Sequence, residues 1–564
     1  MQRTRAITLG LAAAFVASCS GTGSSGPSGP SLSACANATP IDLAVGQDTV
    51  INATVNAGCI ALPAAGPGGA EHLVVAYSAS GQITPLGISA SFRFATGSAP
   101  AAAPMASPPM PRLTGLQPNT GFDAMLRARG RTLSSSPALL AARATAPPPG
   151  VIGRATAPTV GSQRTFYICG NANCPTPLVA LTATAKHVGP HSAIYLDDSV
   201  PAGGYTQADL DSIGTLFDNY LYPIDTLSFG RESDLDTNGV VIVLMSARVN
   251  TLSGNCNTTN SVILGFFFPD DLVPSAFDPN DGEIFYTLVP DPGNTHCTIT
   301  KNFATAYLPA TFLHEFQHMI SFNRHVLLAG GFSEDNWVDE GLSRLAEELG
   351  GREIPDAECP GVASCLDRLA AGDVYNAESY LHKDTLEASF LFEPDNVDGD
   401  LAENGANWLW IRWLTDHFAA DSILGRDFTR VLDGADQPGG RSLVGQTNLE
   451  AATGQSMPVL LGQWQLANYL ASVPTFSEPT GRLRYKSWDL DALFVNNFGA
   501  YPLQPDSTAT GSYLHTGVLR QGSGRHLRVI QPGSGSGVVL QVSDLNGAVL
   551  GAAVVPRIAV VRIR

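Results

Sequence analysis

The sequence has few charged residues, and basic residues are the scarcer kind. Only 15% of the 564 residues are charged, and the formal net charge at pH 7 is −18. A typical soluble protein has about a quarter of its residues charged. A strongly acidic chain repels nucleic acids and anionic membrane surfaces. The composition therefore argues against a nucleic-acid partner and against electrostatic membrane binding.

The sequence also lacks a long apolar run that could cross a membrane. Near the N-terminus, Ala6 to Val16 is apolar but too short to span a bilayer, and it follows Arg3 and Arg5. This pattern is typical of a signal peptide. Small residues precede Cys19 and resemble a bacterial lipobox, which implies lipidation at Cys19 and anchoring at the outer membrane or cell surface. The alternative is an ordinary cleaved signal peptide with an incidental cysteine.

The cysteines show no zinc-ribbon spacing. Apart from Cys19 there are eight, an even number that favours disulfides in an oxidising compartment. We predict that neighbours in sequence pair, although other pairings of eight cysteines are open. The predicted pairs are Cys35–Cys59, Cys169–Cys174, Cys256–Cys297 and Cys359–Cys365.

Shifts in composition divide the chain into segments and predict a multidomain α+β protein. Alternating apolar residues over Ile88 to Phe94 indicate a half-buried strand, and Val240 to Met245 is a continuous apolar run. We predict β-sandwich-like modules at both ends and a large mixed core between them. The predicted segments are a signal peptide (1–18), a tether (19–33), a β module (34–98), a Pro/Ala-rich linker with a short basic helix (99–159), the mixed core (160–475) and a C-terminal β module (476–564).

A His-Glu-x-x-His motif lies in the apolar stretch Ala310 to Ile320. On a helix, His314 and His318 are separated by about 40° around the axis and by one turn, so both can bind one zinc ion. Glu315 follows the first histidine and can act as a general base toward a water molecule. Pro309 is expected in the first turn of this helix, where proline is tolerated. The apolar flanks predict burial, and buried histidines need partners.

A catalytic zinc site needs a third protein ligand, and the next predicted helix offers Glu340. Its competitors are Glu334, near the helix start, Asp339, about 100° away around the axis, and Glu347, two turns further along. A solvated acidic face is the alternative interpretation. The apolar positions of this helix form a packing stripe of Val338, Leu342, Leu345 and Leu349.

The segments HEFQHMI and WVDEGLSRLAEE resemble the hyicolysin family of bacterial metallopeptidases. They are also similar to the wider gluzincin group, in which a glutamate after HExxH completes the zinc site. The resemblance extends over about Val160 to Val473. It implies a thermolysin-like core with one zinc per chain held by His314, His318 and Glu340. It further implies an endopeptidase that acts on proteins or peptides, with Glu315 as general base.

The sequence departs from the pattern of this group at two places. Asp339 stands where relatives often have asparagine. Many gluzincins carry a tyrosine that stabilises the oxyanion, but the comparable stretch here begins with Asn404. Tyr375 and Tyr380 are the substitute candidates, with packing as the alternative role for each.

A second candidate ion site precedes the apolar run at 240–245. Asp234, Asp236 and Asn238 alternate before Gly239, as at the start of a calcium-binding loop. The twelfth position is Met245 rather than glutamate, so this is not an EF-hand. Calcium binding and a plain Asx-rich turn both remain open.

Two classes of function therefore compete. The first is an exported, lipid-anchored zinc metalloendopeptidase, and the second is a non-catalytic surface adhesion or binding lipoprotein built on the same core. The intact set of motif residues favours the enzyme. An aminopeptidase of the GxMEN type is disfavoured because the chain has no such motif. The sequence leaves the oligomeric state open.

Overall fold

The computed structural model describes residues 32–81, 87–96, 117–118, 120–136, 139, 157–254, 256–259, 261–273, 280–382, 401–509 and 511–564. The predicted signal peptide, Cys19 and most of the tether lie outside the described residues. Among the described residues, no helix combines the length and the apolar character needed to cross a bilayer.

Nine strands from the two ends of the chain form a β-sandwich. One sheet has the order β1-β17-β3-β15-β13, and the other has the order β14-β4-β16-β2. The N-terminal strands are β1 (Asp48–Asn52), β2 (Cys59–Leu62), β3 (Ala70–Ser78) and β4 (Ser89–Thr96). The C-terminal strands are β13 (Asp506–Thr508), β14 (Tyr513–Arg520), β15 (Gly524–Gln531), β16 (Val538–Ser543) and β17 (Pro556–Arg562).

The prediction of separate modules at the two ends was wrong. Strands β3 and β4 each lie between two C-terminal strands, so the two ends complete one another. The sandwich also shares a hydrophobic core with the rest of the chain, because Leu73 and Val75 pack in the same cluster as Trp464. Alternation along a strand predicts which face is buried but not which strand pairs with it.

A six-stranded mixed sheet supports the central part of the chain. Its order is β11-β12-β9-β8-β7-β6, and β8, β9 and β12 run parallel to one another. The strand β11 lies at the edge and is antiparallel to β12. These strands are β6 (Gln163–Cys169), β7 (Leu178–Val188), β8 (Ser192–Asp197), β9 (Val241–Met245), β11 (Gly265–Phe267) and β12 (Ile284–Thr287), and a separate parallel pair joins β5 (Gln117–Pro118) to β10 (Ser261–Val262).

Helices cover this sheet and fill the space between it and the sandwich. π-Helical turns at Phe217–Leu221 and Asn323–Leu328 continue two of them. The helices are α1 (Thr120–Ser134), α2 (Gln207–Leu216), α3 (Tyr222–Phe229), α4 (Ala247–Leu252), α5 (Cys256–Thr259), α6 (Lys301–Phe322), α7 (Asn336–Glu353), α8 (Cys365–Leu369), α9 (Ala371–His382), α10 (Leu401–Phe418), α11 (Arg426–Leu432), α12 (Gly445–Thr453), α13 (Met457–Leu470) and α14 (Leu490–Phe498).

The motif helix α6 begins earlier than the sequence predicted. Thr300 caps it by accepting a hydrogen bond from the Phe303 N–H at 3.1 Å. Pro309 is therefore an interior residue rather than a first-turn residue, and it removes one helical N–H donor. Tertiary packing outweighs that cost, since every residue from 308 to 322 is buried.

Helix α7 lies beside α6, and its predicted apolar stripe is fully buried. Gly341 allows a close approach of α10 on its other side. A Cβ at Gly341 would lie 2.4 Å from Ile411 Cγ1 and 2.8 Å from the Asn407 carbonyl oxygen. A side chain there would push α7, and with it Glu340, away from its place.

The edge strand β11 packs directly on α6. A Cβ at Gly265 would lie 2.6 Å from Thr311 Cγ2 and 2.6 Å from the Tyr286 carbonyl oxygen. Only glycine therefore fits between the motif helix and the neighbouring strand. This close contact sets the edge of the sheet beside the His-Glu-x-x-His motif.

The structure brings together the four cysteine pairs that the sequence predicted. Their Cα–Cα distances lie between 5.3 and 5.5 Å, within the normal range for disulfides. One bond joins Cys35, which precedes β1, to Cys59 at the start of β2, and the other three lie between residues 169 and 365.

Candidate metal centre

Three ligand atoms from α6 and α7 converge at one point. Nε2 of His314 lies 3.1 Å from Nε2 of His318. The Glu340 carboxylate lies 3.4 Å from Nε2 of His314 and 3.5 Å from Nε2 of His318. The structure therefore groups the three residues that the sequence put forward as metal ligands.

Carboxylates hold the other nitrogen of each ring. His314 Nδ1 lies 2.8 Å from Glu347 Oε1, and His318 Nδ1 lies 2.9 Å from Asp339 Oδ2. A carboxylate only accepts hydrogen bonds, so each Nδ1 carries a proton, and Nε2 is the atom of each ring that is left to bind a metal ion. This carboxylate–histidine arrangement is the usual support of metal-binding histidines.

The spacing and chemistry of these atoms fit zinc. Ligands at about 2.0–2.1 Å in a tetrahedral site are separated from each other by about 3.3 Å. The two Nε2 atoms lie 3.1 Å apart, close to the separation of two ligand atoms on one tetrahedral zinc ion. Glu340 Oε1 is buried and has no hydrogen-bond partner among the described residues. A metal ion would satisfy all three groups.

The electrostatics of the site favour positive charge. Burial would raise the pKa of Glu340, but hydrogen bonds and charges of His314 and His318 hold it well below its usual value. Burial would lower the pKa of His314, but Glu340 and Glu347 raise it well above its usual value. The carboxylates therefore stabilise a cation at the point where the three ligand atoms meet.

Glu315 lies on the same helix and contacts the edge strand. Its Oε2 accepts a hydrogen bond from the Phe267 N–H at 2.8 Å, and the side chain is buried. The strand β11 thereby fixes the orientation of the carboxylate that the motif predicts as general base. No local pattern predicts this contact, because the two residues are 48 positions apart.

The competing carboxylates have other partners. Asp339 and Glu347 bind the Nδ1 sides of the two rings, as described above. Glu334 instead accepts hydrogen bonds from the Gly445 N–H and the Asn448 side chain, and it lies 3.8 Å from His325. Of the four candidate carboxylates, only Glu340 faces both Nε2 atoms.

The two tyrosine candidates pack against other aromatic rings. Tyr380 is buried and stacks on Trp464 with ring centroids 5.7 Å apart. The Tyr375 ring lies 6.4 Å from the ring of Phe498. These contacts match the packing alternative, and an oxyanion role for either tyrosine stays a prediction.

The basic helix predicted in the linker lies against this centre. Arg127 of α1 is 3.7 Å from Asp339. Asp123, on the same helix, interacts electrostatically with Glu315, Glu340 and His314. Burial raises the pKa of Asp123 well above its usual value, and the negative charges of Glu315 and Glu340 raise it further. The sequence predicted this helix but not its place at the site.

The structure brings together only part of the second candidate ion site and adds a residue to it. Asp234 and Asp236 have ligand atoms within 4.8 Å of one another and of Glu283, which the sequence analysis did not name. Asn238 is held in the turn, since its Oδ1 accepts from the Val240 N–H at 2.7 Å. Burial raises the pKa of Glu283 to about 7. Calcium binding here stays a prediction, and the Asx-turn hydrogen bonds exist without an ion.

Comparison with curated proteins gives one informative relative. The neutral metalloprotease ShpI of Staphylococcus hyicus is 30% identical over 173 residues, which are 30% of this chain and 36% of that protein. Over part of its length, this chain is related to a metalloprotease. The chain spans just over a third of the relative's length. No protein-family model matches the chain.

The carboxylates behind the histidines give a first testable prediction. Glu347→Ala leaves His314 Nδ1 without its partner, so the ring loses its fixed orientation. We expect the affinity for zinc to fall by about 10- to 100-fold, measured by competition with a chromogenic chelator. Unchanged affinity would show that Glu347 does not orient His314. Arg352→Ala, near the far end of the same helix, is the control.

Proposed function

We propose that this protein is an exported, lipid-anchored zinc metalloendopeptidase of the hyicolysin-like, gluzincin type. The observation that carries the proposal is the convergence of His314 Nε2, His318 Nε2 and Glu340 at mutual distances of 3.1–3.5 Å. The carboxylates on both Nδ1 atoms and Glu315 beside the site add to it. The metalloprotease relative supports the reaction class.

His314, His318 and Glu340 would hold the zinc ion in this proposal. A bound zinc ion polarises a peptide carbonyl and lowers the pKa of water to about 7. Glu315, oriented by the Phe267 N–H, accepts a proton from the attacking water and delivers it to the leaving amine. The edge strand β11 lies next to this carboxylate, and Arg127 of α1 donates a hydrogen bond to its Phe267 carbonyl. An extended peptide can therefore align along β11 only after α1 has moved.

The function is tested by metal analysis together with casein digestion. We expect about one zinc per chain. In the form with α1 released, we expect casein digestion that is lost after treatment with a chelator and recovered when zinc is added back. If the zinc-loaded protein digests neither casein nor other unfolded proteins after α1 has been released, the non-catalytic adhesion alternative replaces the enzyme.

The lipid anchor has a separate test. Cys19→Ser removes the residue that the lipobox resemblance assigns to lipidation. We expect the variant to move from the membrane fraction to the soluble fraction, because the chain is otherwise acidic and poorly suited to anionic membranes. Cell fractionation with immunoblotting measures this. A variant that stays in the membrane fraction would contradict the lipid assignment.

A further inference from the structure

The helix α1 lies across the metal centre and is held to the central domain by charge. Each of its three arginines has a carboxylate partner there. Arg129 pairs with Asp270 at 2.6 Å and Arg131 pairs with Asp335 at 2.6 Å. Arg127 lies 3.7 Å from Asp339, the residue that orients His318.

Apolar contacts and backbone pairing extend this attachment along the whole helix. Phe122 packs edge-on against Phe266 of β11, with ring centroids 5.2 Å apart. At the other end, the Ser134 hydroxyl accepts a hydrogen bond from the Ser333 N–H just before α7. The preceding strand β5 pairs with β10, which lies just before β11 in the chain. Helix α1 therefore spans the region from the edge strand to the start of α7.

The same helix occupies a backbone carbonyl of the edge strand that a peptide substrate would need. Phe267 of the edge strand gives its N–H to Glu315, and its carbonyl accepts a hydrogen bond from Arg127 Nη2 at 3.3 Å. Unpaired groups on an edge strand are the usual place for an added extended peptide. Here an arginine of the protein's own chain takes that place.

The metal-binding groups are buried beneath this cover. His314 is 6% exposed, His318 is 1% exposed and Glu340 is 3% exposed. A small cavity beside His318 is lined on one side by Leu126 and Arg127 of α1. Asp123 adds a carboxylate next to the site. A peptide aligned along β11 would overlap α1, because Arg127 already holds the Phe267 carbonyl.

We propose that α1 is an inhibitory segment of the full-length chain, which blocks the metal centre until the chain is cut on both sides of the helix. This inference rests on the proposed function. The sequence on either side of α1 is rich in Ala and Pro, from 97 to 111 and from 144 to 156. We place the two cuts, made by another protease, in these sequences.

The strand pairing of the β-sandwich indicates which fragments stay together after the two cuts. Strands β3 and β4 are interior strands of the two sheets and pair with C-terminal strands on both sides. The N-terminal fragment would therefore stay bound to the enzyme. No disulfide among the described residues links it to the rest of the chain. The active form is expected to be one particle in gel filtration and two chains in non-reducing denaturing electrophoresis.

The first test weakens the attachment without touching the metal ligands. Arg129→Ala combined with Arg131→Ala removes two ion pairs, and Arg520→Ala, at an exposed position of the sandwich, is the control. We measure the rate at which a chelator removes zinc and the rate of casein digestion. Both should rise by roughly 2- to 30-fold in the double variant, and neither should change in the control.

The second test releases α1 by proteolysis and does not depend on the folding of the double variant. Recognition sequences for a site-specific protease are inserted after Ala103 and after Pro148, and the purified chain is compared before and after cutting. We expect faster zinc removal and casein digestion after cutting, with the two chains still eluting together.

The readouts separate this inference from the proposed function. Faster zinc removal without any digestion would support the cover but contradict the enzyme. Unchanged zinc removal after cutting and gel filtration, or a loss of digestion when α1 is released, would overturn the inhibitory role. In the latter case α1 would be a working part of the site.

Discussion

Glu340→Ala is expected to lose zinc and peptidase activity together. The Glu340 carboxylate is the only one of the four candidates that faces both Nε2 atoms. Its removal leaves two histidine ligands, and three protein ligands are the norm for a catalytic zinc site. The affinity for zinc should fall by more than the roughly 10–100-fold that is expected when a residue that only orients a ligand is lost. Zinc content after gel filtration, measured by mass spectrometry, and casein digestion check this.

Two controls make the Glu340 experiment specific. Glu353→Ala repeats the substitution on the same helix, at a side chain that pairs with Arg426. Glu334→Gln tests a rejected candidate while keeping its size, because truncating this buried hydrogen-bonded carboxylate would cost about 1–3 kcal/mol per unsatisfied group. Both controls should retain zinc. Zinc near one per chain in Glu340→Ala would falsify the assignment of this ligand.

Glu315→Gln is expected to retain zinc but lose most of the activity. Glutamine keeps an oxygen that accepts the Phe267 N–H, so the local structure is preserved. An amide cannot accept the proton of the attacking water. The rate of casein digestion should therefore fall by a factor of about 10²–10⁴.

The Glu315 experiment has to be made on the form of the enzyme with α1 released. Otherwise a low rate would reflect the covering helix in both proteins. Zinc content and the thermal unfolding midpoint should match those of the parent. Near-normal digestion by a folded, zinc-loaded Glu315→Gln variant would show that the motif helix is not catalytic in this protein.

The grouping of His314, His318 and Glu340 was predictable from the sequence because most of its geometry is local. His314 and His318 lie on the same helix one turn apart, and the helix periodicity alone brings them together. Glu340 was harder, since it lies on another helix. Glu340 could be chosen because the competing carboxylates differ from it in their angle around the helix axis and in their distance along it. Both differences follow from the positions of these residues in the sequence.

The partners of the ligands were not predictable in the same way. Asp339 and Glu347 were weighed only as rivals of Glu340, but the structure gives each of them a histidine Nδ1. One feature of the sequence pointed to these contacts, because Asp339, Glu340 and Glu347 lie within about two turns of α7. Which carboxylate contacts which histidine nitrogen depends on the crossing angle between α6 and α7. The spacing of residues along one helix does not predict that angle.

The position of the motif helix start shows a similar limit. The sequence analysis treated Pro309 as a first-turn residue because proline is tolerated there. The structure instead extends α6 back to Lys301, since Thr300 caps the helix and the surrounding core buries it. Tertiary packing can outweigh the local cost of an interior proline.

The sequence by itself determined the local chemistry of this protein. It determined the histidine pair, the adjacent glutamate, the cysteine pairs and the apolar faces, because each depends on spacing within a few turns or on simple order along the chain. The tertiary structure alone decided that the two ends share one sandwich and that α1 lies over the metal centre. Both arrangements join segments more than a hundred residues apart, and contacts at that range leave no periodic signal in a single sequence.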